Sequence, residues 1–295
     1  MKFEVSADKN ARKKFFTFFN ENYRNIESGI LGKSILGSEI HYYKIGNGKK
    51  QIVSVGAHHG MEHITAAALF GVILKIAENL TRCGTSYDIN IAFLLQKFTF
   101  WFVPCLNPDG VDFVISGIFQ NPLYDRQLKM NGGRDFSFWQ ANARGVDLNH
   151  NYDYRFSEYK GLEAENNILP GRTRFSGEYP ESEPETKALL NLIRTVRPKL
   201  IISFHSAGEE VFFRPRSSKK SRRIASACAD ILSYKLSVPE GLSDFGGLSD
   251  YTGEVLGITS LTVEVGKGEN PLQSSQLGAI TERIYKLFCL LPTHL

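Results

Sequence analysis

The chain has 295 residues, of which 42% are apolar, with a formal charge of +4 and a pI near 8.7. That is enough apolar material to bury a large core, and the interspersed charges give no indication of nucleic-acid binding. Cys83, Cys105, Cys228 and Cys289 stand far apart without a Cys-x-x-Cys spacing, which argues against a disulfide framework or thiolate metal site and fits a reducing compartment.

The first ten residues are too charged for a signal peptide, and no apolar run approaches transmembrane length. The expectation is a cytoplasmic protein without a membrane partner, in one domain over 1–295, with 1–30 as a helical extension packed on it. The oligomeric state stays open. From Asn10 to Ile26, charged residues alternate with Phe15, Phe16, Phe18 and Phe19, as in a surface helix with an aromatic inner face. Gly32 to Val55 reads as two strands joined at Gly46-Asn-Gly48, since Asn-Gly supplies the positive φ of a tight hairpin.

The second of these strands ends in Ile52-Val-Ser-Val55 and delivers the chain to Gly56-Ala-His58-His59-Gly-Met-Glu62-His63. Ile64 to Ala77 then reads as a packed helix. A strand end meeting a helix start is where ligands are held, and His59 and Glu62, three apart, can aim a nitrogen and an oxygen at one point. A bare His-x-x-Glu also occurs by chance, so the remaining chain must supply the other ligand.

Leu94 to Cys105, dense in Phe, Trp and Val, reads as a central strand, followed by the turn signal Asn107-Pro-Asp-Gly110. Gly117 to Arg144 is long and irregular, as a binding loop is. Asn142 to Tyr152 crowds polar groups around two apolar residues and so should line a cleft. Arg144 and Asn149 suit a carboxylate there, although an Arg–Asp pair in that run also reads as an internal salt bridge. Ser182-Glu-Pro-Glu185 reads as a capping box for a helix over 186–196.

Lys199 to Ser206 is a buried strand ending on His205, the second place where an apolar strand delivers an imidazole. A catalytic zinc needs three protein ligands and an open position. The basic run Lys219-Lys-Ser-Arg-Arg223 reads as a solvated helix start. Gly246-Gly-Leu-Ser-Asp250-Tyr251 precedes a strand over 260–266. Within it, Glu264 is an acid in apolar surroundings, as a general base is. Gln273 to Leu291 closes the chain as an amphipathic helix.

Taken in order, His59-Gly-Met-Glu62, Asn107-Pro-Asp-Gly110, Gly145-Val-Asp147-Leu-Asn149, Ser182-Glu-Pro-Glu185, His205-Ser206 and Thr262-Val-Glu264 resemble the zinc carboxypeptidase family of metallopeptidases. The resemblance implies an α/β fold, a mixed twisted sheet flanked by helices, with one zinc ion at the carboxyl ends of the central strands. It implies His59, Glu62 and His205 as zinc ligands, Glu264 as general base, and Asn149 as a residue binding a terminal carboxylate. Asp147 is implied as the partner that orients His59. Arg144 is the nearest candidate for the oxyanion arginine, and Ser249, next to Asp250, stands where side-chain preference is set.

Departures from the family accompany these matches. His150 replaces an arginine of digestive members, which should weaken the grip on a terminal carboxylate, and Leu242 falls where the family has a mobile tyrosine. The runs Trp139 to Asp147 and Glu264 to Pro271 look most like bacterial members that cut γ-D-glutamyl-diamino acid bonds in cell-wall (murein) peptides. The implied partner is therefore a peptide substrate, murein-derived by this likeness. Two rivals remain: a zinc deacylase of acylated amino acids on the same scaffold, and a non-catalytic peptide-binding relative.

Overall fold

A computed structural model describes residues 6–24, 26–214, 218–239, 241 and 245–295. The strands are β1 (Glu27–Lys33), β2 (Glu39–Ile45), β3 (Lys50–Val55), a minor hairpin of β4 (Thr85–Ser86) and β5 (Ile89–Asn90), β6 (Phe98–Val103), β7 (Leu200–Ser206), β8 (Glu210–Phe212), β9 (Lys235–Ser237) and β10 (Thr259–Val265). Eight of them form one mixed sheet in the order β1-β2-β6-β3-β7-β10-β8-β9. At its centre β6, β3, β7 and β10 run parallel, so their carboxyl ends share one edge.

The helices are α1 (Lys9–Asn22), α2 (His63–Thr81), α3 (Ile91–Lys97), α4 (Pro108–Ser116), α5 (Tyr124–Asn131), α6 (Phe156–Glu165), α7 (Pro184–Val196), α8 (Lys219–Leu232), α9 (Leu248–Asp250) and α10 (Leu277–Leu290). Strand alternation divides the core into two layers. Leu200, Ile202 and Phe204 of β7, with Leu261, Val263 and Val265 of β10, face a layer shared with Phe70 and Phe288. Ile201 faces the opposite layer, with Leu189, Leu190 and Ile193 of α7. Ser203, His205, Thr262 and Glu264 fall on that second face by the same period of two.

The α/β class and mixed sheet expected from the sequence are present; several boundaries differ. Residues 27–33 form edge strand β1, so the N-terminal extension that is helical stops at Asn22. The apolar run from Leu94 begins as α3 and becomes strand only at Phe98, because an apolar run does not by itself distinguish a buried helix from a buried strand. Asn107-Pro-Asp-Gly is a helix start: the Asn107 side chain accepts from the Gly110 N–H and Pro108 occupies the first turn of α4. Part of the expected loop over 117–144 is helix α5.

The capping box is not made. The Ser182 hydroxyl accepts from Asn151 and donates to Glu183, while Glu185 accepts from the Ile35 N–H at 3.2 Å. The segment Gly60–Thr81 is long and apolar enough to cross a bilayer, yet most of it is buried inside the fold. The extension is fastened by a buried fork: Arg12 donates to both carboxylate oxygens of Asp112 in α4, at 2.9 and 2.8 Å, and to Ala7 O at 2.6 Å.

Candidate metal centre and adjoining cavity

β3 stops at Val55, and a short loop carries the chain to His59 and then through the turn Gly60–Glu62 into α2. The turn can sit this deep only because residue 60 is glycine: a Cβ there would lie 2.7 Å from Trp139 O. His59 Nδ1 lies 2.7 Å from Glu62 Oε1, and His205 Nδ1, arriving from the end of β7, lies 2.9 Å from Glu62 Oε2. One ligand atom from each of these three residues falls within 4.8 Å of the others, and among the described residues no other such group is found.

The far nitrogens are already engaged. His59 Nε2 donates to Asp147 Oδ1 at 3.1 Å, and His205 Nε2 lies 3.1 Å from Ser203 Oγ. In the tautomer with a proton on each Nε2, both Nδ1 atoms and both Glu62 oxygens are acceptors, and their short contacts then close around a shared proton or cation. Burial opposes charge on His59, but Glu62 and Asp147 outweigh it and lift its pKa well above the ordinary value. Burial likewise opposes ionisation of Glu62, yet His59 and then His205 draw its pKa down to about 2. Two imidazoles and a carboxylate arranged in this way fit a catalytic zinc ion.

Of the three clustered histidines only His59 joins this group. His58 is a neutral spacer: burial holds its pKa well below the ordinary value, its Nε2 lies 3.0 Å from Tyr152 Oη, and its ring stacks on His205 at 5.2 Å. Asp147 is gripped in turn by the backbone N–H groups of Asn149 and Arg174, at 3.1 and 3.0 Å. Burial works against its charge, but His59 and these donors keep its pKa below the usual carboxylate range.

Glu264 is the Cα partner of His205 across the parallel pair β10–β7. Burial, and next the negative charge of Glu62, push its pKa well above the ordinary value. It stands at the edge of a cavity of about 140 Å³ lined also by Asn149, Arg214, Ser249, Asp250 and Thr262. Asn149 Oδ1 accepts from the Leu248 N–H at 3.1 Å, which fixes the side chain at the cavity wall. Ser249 Oγ is 2.8 Å from Thr262 Oγ1.

Two predicted residues are not brought to this cavity. Arg144 is half exposed, with its guanidinium 3.6 Å from Glu183. His150 stacks on Tyr159 at 4.4 Å, and its Nδ1 lies 2.8 Å from Phe245 O. Leu242 lies outside the described residues. Arg214 was not singled out by the sequence reading, yet it lines the cavity. Its signal was available, as a cation directly after the apolar run Val211-Phe212-Phe213, but its acid partner stands in a distant loop.

A model of the family described as zinc carboxypeptidase matches residues 13–285. The chain is 27% identical over 270 residues to γ-D-glutamyl-L-diamino acid endopeptidase 1 of Lysinibacillus sphaericus, covering 90% of this chain and 67% of that protein. In structure it is similar to carboxypeptidase A from Helicoverpa armigera, with TM-score 0.72 and 18% identity over 99% of this chain and 74% of that one. The murein-tripeptide amidase from Escherichia coli O157 gives a TM-score of 0.52 at 20% identity, covering 90% of this chain and 91% of that one.

Proposed function

Because the chain belongs to the zinc carboxypeptidase family, we propose that it is a metallopeptidase that cleaves the amide between γ-D-glutamate and a diamino acid in a cell-wall peptide. The observation that carries the peptidase reading is the convergence of His59, Glu62 and His205, with Glu264 on the neighbouring strand. The similarity to an L-diamino acid endopeptidase supports the substrate class.

Zinc, when bound by those three side chains, supplies the Lewis acidity that polarises a carbonyl and acidifies water. The chain's own contribution starts with Glu264. A carboxylate whose affinity for a proton has been raised by burial takes the proton of the attacking water and passes it to the leaving nitrogen. Asp147 and Ser203 hold the two imidazoles in the tautomer that leaves Nδ1 free to ligate. In this reading Asn149 meets the terminal carboxylate and Ser249 leaves room for the leaving-side side chain.

Arg144 rests beside Glu183; a loss of ~10²–10³-fold in kcat for Arg144→Ala would show that it moves to the oxyanion. His150 is occupied by Phe245 and Tyr159, so the terminal carboxylate rests on Asn149. A cytoplasmic setting, in which released wall peptides are consumed, belongs to the same reading and is checked by cell fractionation.

The test is product mass spectrometry on γ-D-glutamyl-diamino acid peptides and on small acylated amino acids, with and without chelator. Cleavage of the peptides at the γ-glutamyl bond, lost with chelator and restored by zinc, is the expected result. Turnover of the acylated amino acids alone would replace the peptidase with a deacylase. Tight peptide binding with no turnover and no bound zinc would leave a binding protein.

A further inference from the structure

The opposite edge of the sheet also opens onto a cavity. Lys199 leads into β7, and Thr259, which opens β10, is the register partner of Leu200. Around these amino ends the close of α7, the start of α8 and the turn before β10 enclose about 610 Å³. His205 stands five residues further along β7, roughly 16 Å away at the rise of an extended strand. The cavity shares no lining residue with the one beside Glu264.

Its wall is basic. Arg194, Arg197, Lys199 and Lys220 line it, and no Asp or Glu does so among the described residues. Arg194 is already engaged, donating to Glu181 at 2.6 Å and to Tyr251 Oη at 3.2 Å. Arg197, Lys199 and Lys220 are exposed and have no carboxylate partner among the described residues. Single solvated cations are ordinary on a surface, but three around one hollow repel one another and raise its positive potential. The helix that brings Lys220 adds to this. α8 opens with Lys219, Lys220, Arg222 and Arg223 and has no acid in its first turn, against the preference of a helix start for negative charge. It begins there because the Ser218 hydroxyl accepts from the Ser221 N–H at 3.1 Å. A local rule broken at a cavity wall is a mark of function.

The remaining lining narrows the kind of anion. Pro198, Leu256 and Ile258 add apolar surface, and the hydroxyls of Ser221 and Thr259 lie 3.1 Å apart on the wall. The volume holds on the order of forty waters, far more than inorganic phosphate needs. We propose that this cavity binds an organic diphosphate of nucleotide size. Arg197, Lys199 and Lys220 hold the diphosphate, whose roughly three negative charges at neutral pH match three unpaired cations. The apolar surface of Pro198, Leu256 and Ile258 carries the body of the ligand.

The experiment is calorimetric titration of the full chain with ADP, UDP, inorganic phosphate and a short single-stranded RNA, with and without chelator. ADP and UDP should each bind at least tenfold more tightly than phosphate, and equally in both conditions, because the metal centre takes no part. Arg197→Gln and Lys220→Gln should each weaken ADP binding at least tenfold, with circular dichroism and zinc content unchanged.

Phosphate that binds as tightly as the nucleotides would overturn this inference, as would RNA binding where the nucleotides do not bind. Nucleotide binding that disappears with chelator would place the ligand at the metal instead. Unchanged ADP affinity in both folded variants would also overturn it. Should either variant fail to fold, the ranking of the probes on the unmodified protein and its indifference to chelator still decide. None of these outcomes bears on the peptidase reading, which is tested at the other edge of the sheet.

Discussion

Two buried charge clusters in this molecule look alike by composition and differ in kind. Where α1 meets α4, Arg12 and Asp112 satisfy each other through a two-pronged fork, and Ala7 O takes a further guanidinium hydrogen bond. At the end of β3 and β7, two imidazole nitrogens and two carboxylate oxygens face one another around a single point. The first cluster is complete as it stands; the second is completed by a proton or a cation. Burial of charge is thus a poor sign of function, whereas a buried surplus of lone pairs is a good one.

The sharpest way to press this contrast is to disable the chemistry while leaving the acceptors in place. Glu264→Gln should lower kcat by ~10²–10⁴-fold, the usual contribution of a general base, with zinc content unchanged by metal analysis. Wild-type turnover in that variant would remove Glu264 from the mechanism. The converse change belongs to the other cluster. Asp112→Asn leaves a buried guanidinium unpaired and should cost about 3–5 kcal/mol in urea unfolding, with turnover at ambient temperature near wild type. A small cost accompanied by lost turnover would mean that the fork serves the site.

A milder change weakens the support of one ligand. Asp147→Asn should reduce zinc affinity ~10–100-fold, measured by competition with a chromogenic chelator. The last prediction uses pH alone. His59 in the folded chain has a pKa raised well above 6.5 and Glu62 one depressed to about 2. Without zinc, the Glu62 contribution to stability is present above pH 4.5 and is lost as pH falls toward 2. The His59 contribution is present below pH 6.5 and is lost as pH rises through its raised value. Zinc displaces the His59 proton, so its affinity should rise with pH by about tenfold per unit until the raised His59 value is passed, with proton release seen by calorimetry in buffers of different ionisation enthalpy. A pH-independent affinity would contradict the shared-proton arrangement.

How much of this was legible in the chain depends on the range of the interaction. Strand ends that deliver His59 and His205 are visible because apolar runs are local and stop abruptly. Ser182 misled because a capping box is a local rule, whereas its hydroxyl is taken by Asn151, 31 residues away. Ser203 and Tyr152, which hold His205 and His58, read as ordinary strand and loop residues until the fold brings them there. Arg214 was missed for the same reason. An ion pair across 36 residues leaves no periodic trace.

The neighbourhood of Glu264 and His205 has a consequence for how the centre tolerates change. They are cross-strand partners in a parallel pair, so the gap between the proposed base and the proposed ligand is set by the ~4.8 Å spacing of hydrogen-bonded strands. Side-chain substitution elsewhere cannot stretch that ruler. A slip of one residue in β10, however, would turn Glu264 into the aromatic layer and bring Val263 or Val265 to the water, abolishing catalysis while leaving every residue of the chain unchanged.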